Sequence, residues 1–169
     1  MIWLMVKKGS EMKKNVNLKI KSSQYVENLK PRGEAFRREL ELEDSMEILT
    51  EGTVYSKNNA KYITYEEADP MSAEEVRTLL KVEEGALRIR KYGSDDGDDG
   101  MDMTLQPGIL NITRYQLPKM TALELEVYTN KLDDNLDEEG YGTVSVDYRI
   151  KFDKFFSRRN ILEIEVRPS

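Results

Sequence analysis

The sequence predicts an all-β protein whose antiparallel strands close, or nearly close, into a barrel. From Thr143 to Phe152, apolar side chains fall on every second position, which is the period of a β-strand with one buried face. The same alternation recurs in other segments, and turn signals separate them. Alternation of this kind is typical of antiparallel sheets with one packed and one solvated face.

Two long strands come first in the chain. The first is predicted over residues 15–27, with its apolar side chains inward, and it ends before a Lys-Pro-Arg-Gly turn signal. The second covers residues 36–56, and Gly52 inside it indicates a bulge or a barrel bend. Asn58-Asn59 then predicts a hairpin turn into the strand that carries residues 62–65.

The rest of the chain predicts hairpins joined by short turns. Residues 66–75 are either a loop or a short helix that begins at Ser72 in a Ser-x-x-Glu capping pattern. The later predicted strands cover residues 77–83, 86–92, 101–105, 109–115, 120–132, 143–152 and 159–167. A total of about nine or ten strands with little helix favours a barrel, because closure removes unpaired strand edges.

Length, charge and composition exclude several classes of function. The 169 residues suit one domain. The formal net charge of −6 repels phosphates, so we expect no nucleic-acid partner. The chain has no cysteine and no histidine, which removes disulfides, thiolate metal sites and the imidazole base of acyl-transfer triads. We therefore expect no enzyme activity, no cofactor and no metal.

The N-terminal segment has its own interpretation. Met12 begins MKKNVNLKI, a plausible translation start, so residues 1–11 are interpreted as a disordered or mis-called extension before a single domain at 12–169. The Lys pair follows the apolar run, whereas a signal peptide has its positive charge first. No run approaches the roughly 18 apolar residues that span a bilayer. We expect a cytoplasmic protein without a membrane partner.

Several segments resemble a known family. They read ITYEEAD, EGALRIRKYG, VYTNKLDDNLDEEGYGTVSVDYRIKF and SRRNILEIEV. Together they resemble the YwiB-like family of small bacterial proteins of unknown function, over about residues 12–166. The resemblance implies a lipocalin-like, or calycin-type, barrel of about 8 to 10 strands from a bacterial cytoplasm. It implies no agreed reaction, ligand or partner.

Two acidic loops contain the oxygen ligands that calcium prefers. In residues 93–100 the aspartates lack EF-hand spacing, and we interpret the loop as a mobile hairpin tip. In residues 133–140, Glu138 stands where an EF-hand requires glycine. We interpret this loop as a hairpin connection, because Gly140 and Gly142 bracket the entry to the next strand.

Polar residues at predicted inward positions are the candidate ligand-binding residues. Thr129 lies two residues after Val127, on the same predicted inward face. Tyr148 falls on the alternate positions that are apolar in its strand, and Arg114 lies on the same even positions as two apolar residues. Three more residues are added from the family-like segments. The predicted set is Tyr65, Arg90, Arg114, Tyr115, Thr129 and Tyr148.

Two functional hypotheses follow from this set. The first is a binding module that holds an anionic or amphipathic small molecule in the barrel mouth, near Arg114 and Tyr148. Core filling by Tyr148 and a rim position for Arg114 remain open as alternatives. The second hypothesis is an interaction or homo-oligomeric module that uses an outer face or strand edge, suggested by the adjacent Ile161 and Leu162. The chain is then a monomer or a homodimer.

Overall fold

The structure is a computed structural model, and it describes residues 13–68, 75–92, 100–116, 123–151 and 157–169. These residues form strands and turns, and none of them is helical. No helix with the length and apolarity needed to cross a membrane occurs in this part of the chain. Both the predicted cap at Ser72 and the acidic loop at 93–99 lie outside the described residues, as does the N-terminal extension.

Ten antiparallel strands follow one another around a closed barrel, which confirms the predicted fold class. Each strand pairs with its neighbours in sequence, and β1 also pairs with β10 to close the sheet. The strands are β1 (Lys14–Arg32), β2 (Ala35–Lys57), β3 (Ala60–Ala68), β4 (Glu75–Glu83), β5 (Ala86–Tyr92), β6 (Gly100–Leu105), β7 (Leu110–Gln116), β8 (Leu123–Leu136), β9 (Gly142–Lys151) and β10 (Ser157–Pro168).

The two ends of the barrel differ. The short turns after β2, β4, β6 and β8 all lie at one end, which we call the closed end. The predicted Asn58-Asn59 turn is confirmed there, because both residues have positive φ, 52° and 64°, as a tight hairpin requires. The strands β1, β3, β5, β7 and β9 end at the opposite end of the barrel.

The barrel interior is an apolar core built from inward positions of the strands. The predicted inward faces of β1 and β9 are confirmed. Burial of a large aliphatic side chain contributes about 1.5–3 kcal/mol, so this core is the main stabilising term. Its largest fully buried members are Leu18, Ile63, Leu80, Leu87, Met103, Leu105, Ile164, Val16, Val54, Val82, Val127 and Val144.

The bulge predicted at Gly52 is not observed. The β2 strand continues through Gly52, and the register shift between β1 and β2 lies at Gln24/Tyr25 instead. Position 52 requires glycine because β3 passes close to it: a Cβ there would lie 2.4 Å from the carbonyl oxygen of Thr64. The β10 strand is not an edge, since it pairs with β1 and β9. Ile161 and Leu162 are therefore half-buried within the sheet.

The turn between β8 and β9 packs against β2 at the closed end of the barrel. The carboxylate of Asp137 accepts hydrogen bonds from the backbone N–H groups of Glu139 and Tyr141, at 2.9 and 3.0 Å. Gly140 is buried against Val54 of β2. The predicted hairpin connection is confirmed, and its carboxylates act within the turn.

Gly140 provides a test of this packing. We expect Gly140→Ala to lower the free energy of unfolding by about 2–4 kcal/mol, because φ is +91° and the new Cβ would lie 2.8 Å from Val54 Cγ2. Urea denaturation measures the change. The matched control is Gly85→Ala, where φ is +74° with no atom within 4 Å, and we expect a cost of about 1 kcal/mol. Equal costs for the two variants would contradict the packing.

Candidate functional site

Six polar residues at inward positions line the barrel interior, and we call them the inner polar belt. They lie on β3, β4, β7, β8, β9 and β10, and each is buried. Apolar core residues lie on both sides of the belt along the strands: on β8, Leu125 and Val127 precede Thr129 and Leu132 follows it. The belt consists of Tyr65, Thr78, Thr113, Thr129, Tyr148 and Asn160.

Strand register brings the members of the belt together. Tyr65 pairs with Thr78 across β3 and β4. On the other side of the barrel, Tyr148 pairs with Thr129 on β8 and with Asn160 on β10. These rows exist because each residue continues the inward phase of its own strand. The belt is thus a direct product of the sheet register.

The hydroxyl groups of Thr113 and Thr129 lack partners. Their side chains are 1% and 0% exposed. Among the described residues, neither Oγ1 atom has a hydrogen-bond partner. Buried hydroxyls in proteins are nearly always hydrogen-bonded, and leaving one without a partner costs about 1–3 kcal/mol. The interior therefore presents hydrogen-bonding capacity that the described protein groups do not use.

Both tyrosines of the belt are held in the neutral form. Burial raises the pKa of Tyr148 to about 12. Burial and the negative charge of Glu67 raise the pKa of Tyr65 to about 12, while the Thr78 hydroxyl opposes that rise by favouring the phenolate. At neutral pH both phenols are uncharged, so they offer an O–H donor as well as an acceptor oxygen.

A charged pair on β3 and β5 accompanies the belt. Glu67 continues the inward phase of Tyr65, and Lys91 continues that of Ile89. Lys91 Nζ lies 3.5 Å from Glu67 Oε1. The charges of the two groups offset each other, so neither supplies an unpaired charge to the interior. In the described residues, no group of three or more carboxylates is arranged to hold a metal ion.

The structure places Arg114 and Arg90 outside the interior. The inward phase predicted for β7 was wrong, because Thr113 is buried while Arg114 is exposed together with Ile112. Arg90 is half-buried on the outer face, where its Nε lies 3.7 Å from Asp102 Oδ2. Arg88 binds the same carboxylate through two hydrogen bonds, and this interaction lowers the pKa of Asp102.

The other four predicted residues differ in where their side chains lie. Tyr65, Thr129 and Tyr148 are inward and buried, and they belong to the belt. Tyr115 pairs with Met101 and Leu123 through the strand register, and its side chain lies outside the description. The predicted set therefore contributes three of the six belt residues.

Three belt residues were missed by sequence reasoning. Thr78 shares even positions with the apolar Leu80 and Val82, and Asn160 precedes Leu162 and Ile164 in the same way. Phase alone could have identified both. Thr113 could not have been identified, because the apolar residues of β7 lie on the opposite face.

The fold and its belt define the class of protein as a small, ten-stranded antiparallel β-barrel with a polar zone in its interior. A family model described as "Domain of unknown function (DUF1934)" matches residues 33–164, and the chain belongs to this family. It is also similar to a solved structure, "Crystal structure of ywiB protein from Bacillus subtilis". The two share 20% identity and a TM-score of 0.62 over 95% of this chain and 96% of that one. At that identity the likeness shows a shared fold.

These findings confirm the resemblance to the YwiB-like family. No curated protein matches the chain. The family description names no ligand or reaction, so functional arguments depend on the geometry of the barrel itself.

The buried phenol of Tyr148 predicts a loss of stability at high pH. An unfolded tyrosine ionises near pH 10, whereas the folded one stays neutral to about pH 12. The stabilising difference is fully present below pH 10, and it is lost as pH rises through the folded pKa, a change of about 2–3 kcal/mol. We expect Tyr148→Phe to reduce this decline, measured by urea unfolding at about pH 9 and pH 11.5. The same decline in both proteins would contradict burial of the phenol.

Proposed function

We propose that this barrel binds an amphipathic small molecule, with the apolar part against the core and an uncharged polar group at the inner polar belt. The observation that carries the proposal is the pair of buried, unpartnered hydroxyls at Thr113 and Thr129. Because Thr113 lies opposite Leu125, four residues from Thr129 along β8, different polar atoms of a bound ligand would satisfy the two hydroxyls. The arrangement matches the usual composition of small-molecule sites, in which a few polar groups orient a ligand among apolar walls.

The size of the barrel supports this proposal. A barrel of about eight strands has an interior that side chains fill or that holds one small ligand, and the diameter grows with strand number. This barrel has ten strands. A ten-stranded barrel is expected to have a wider interior than an eight-stranded one. Because the turn at Gly140 packs against Val54 at the closed end, we propose that a ligand enters from the opposite end.

The chemistry of the belt favours an uncharged head group over an anion. Five members carry hydroxyl groups, on β3, β4, β7, β8 and β9, and the sixth is the amide of Asn160. The Glu67 and Lys91 charges near the belt offset each other. Because Arg114 is on the outer face, the cation first expected to bind an anion is absent from the interior. An alcohol, ester or amide group fits this set, and the proposal includes no catalytic step.

Substitution of the two threonines tests the proposal. Thr→Val keeps the shape and removes the hydroxyl, so we expect Thr113→Val and Thr129→Val each to weaken ligand binding about tenfold. The assay is displacement of the neutral fluorescent probe N-phenyl-1-naphthylamine by 1-decanol. Stability should stay equal or rise, because an unpartnered buried hydroxyl is removed.

Thr143→Val is the matched control, since Thr143 lies exposed on the outer face of β9. We expect it to leave displacement by decanol unchanged. Equal displacement curves for the wild type and both inner variants would contradict the proposed site. Failure of both the probe and decanol to bind the wild-type protein would reject binding of this ligand class.

A further inference from the structure

The β1–β2 hairpin extends beyond the body of the barrel. Pairing of β1 with β10 ends at Val26, and pairing of β2 with β3 ends at Gly52. Beyond these points β1 and β2 continue to pair with each other as far as Arg32 and Ala35. We call residues 27–42 the arm. Within the described part of the chain, the edge of β2 that faces away from β1 has no partner along the arm.

Apolar side chains are exposed along this open edge. Phe36, Leu40 and Leu42 are 72%, 43% and 59% exposed, and they share one face of the arm. Charged residues and Pro31 in the arm discourage unspecific pairing with another chain, but three apolar side chains remain exposed on one face. An edge with three exposed apolar residues on one face is suited to strand addition, in which backbone hydrogen bonds supply affinity and alternate side chains supply specificity.

The arm is electrically balanced, unlike the chain as a whole. It contains four basic residues, Lys30, Arg32, Arg37 and Arg38, and four acidic residues, Glu27, Glu34, Glu39 and Glu41. The whole chain carries a net charge of −6, which repels a second copy at most surfaces. The balanced charge of the arm keeps repulsion between copies small there.

From these observations we propose that the open edge of β2 pairs with the same edge of a second copy of this chain. The two β2 strands run antiparallel about a two-fold axis near Glu39, so that the arms form one four-stranded sheet. Such an interface is isologous, the commonest arrangement in soluble dimers. This inference is independent of the ligand proposed for the interior.

The register about Glu39 pairs complementary side chains on both faces. On one face, Phe36 of each copy lies opposite Leu42 of the other. On the opposite face, Arg37 of each copy lies opposite Glu41 of the other, and cross-strand pairs of opposite charge stabilise a sheet. The two Glu39 side chains meet at the axis as like charges, which opposes pairing. Lys30 of the same chain offsets that repulsion, because its Nζ lies 3.1 Å from the carboxylates of both Glu39 and Glu41.

Sedimentation velocity of the full chain tests the proposal. We expect a dimer to form between about 1 and 100 µM, the range of modest interfaces. Leu42→Lys should weaken the dimer at least tenfold. Ile112→Lys is the matched control, because Ile112 is also an exposed apolar residue, 65% exposed, on the outer face of β7. A monomeric wild-type chain at 100 µM, or a dimer lost only in the Ile112 variant, would overturn the proposal.

Charge reversal tests the register itself. Arg37→Glu alone and Glu41→Arg alone each place like charges opposite one another, so we expect each to weaken the homodimer about tenfold. An equimolar mixture of the two variants restores both opposite-charge pairs and should recover dimer as a heterodimer. Circular dichroism confirms that each variant is folded. A mixture that stays as monomeric as its components would overturn the register and the proposal with it.

Discussion

The structure depends on closure of the sheet between β1 and β10. The register that joins Val16 to Pro168 and Val26 to Arg158 gives β10 a partner on both sides. Closure also fixes which face of every strand is inside, because successive side chains on a strand alternate between faces. A slip of one residue anywhere would transfer that strand's apolar set to solvent. The positions of the core and of the inner polar belt therefore follow from one constraint.

Within that constraint, the interior combines aliphatic and polar side chains. The aliphatic side chains form the core, and at the closed end the turn containing Gly140 rests on Val54. Hydroxyl and amide groups share the inner face, and the hydroxyls of Thr113 and Thr129 have no partner among the described residues. An interior required only for stability would gain from valine at Thr113 and Thr129, since an unpartnered buried hydroxyl is destabilising. The proposed ligand would give these two residues a physical reason, and such a trade of stability for function is common at binding sites.

Much of the fold was predictable, and the failures have physical causes. In β9 the apolar residues all lie inside, so the alternation of apolar and polar residues predicted the correct, inward face for Tyr148. In β7 the apolar Leu110 and Ile112 lie outside and Thr113 lies inside, so the same rule placed Arg114 on the wrong face. Hydrophobicity alone cannot identify the inward face of a strand that exposes its apolar residues. Nor could it show that β10 is central or that β2 has the open edge, because strand order depends on contacts between distant segments.

The central claim is that ligand reaches the inner hydroxyl groups of a barrel with one closed end. The most direct measurement is a methyl-resolved NMR titration of the protein with 1-decanol, observing threonine and isoleucine methyl groups. The account predicts saturable shifts at Thr113 and Thr129 with little change at the exposed Thr143 and Ile112. Shifts confined to Ile112 and other outer-face methyl groups, with the inner threonines unmoved, would contradict it.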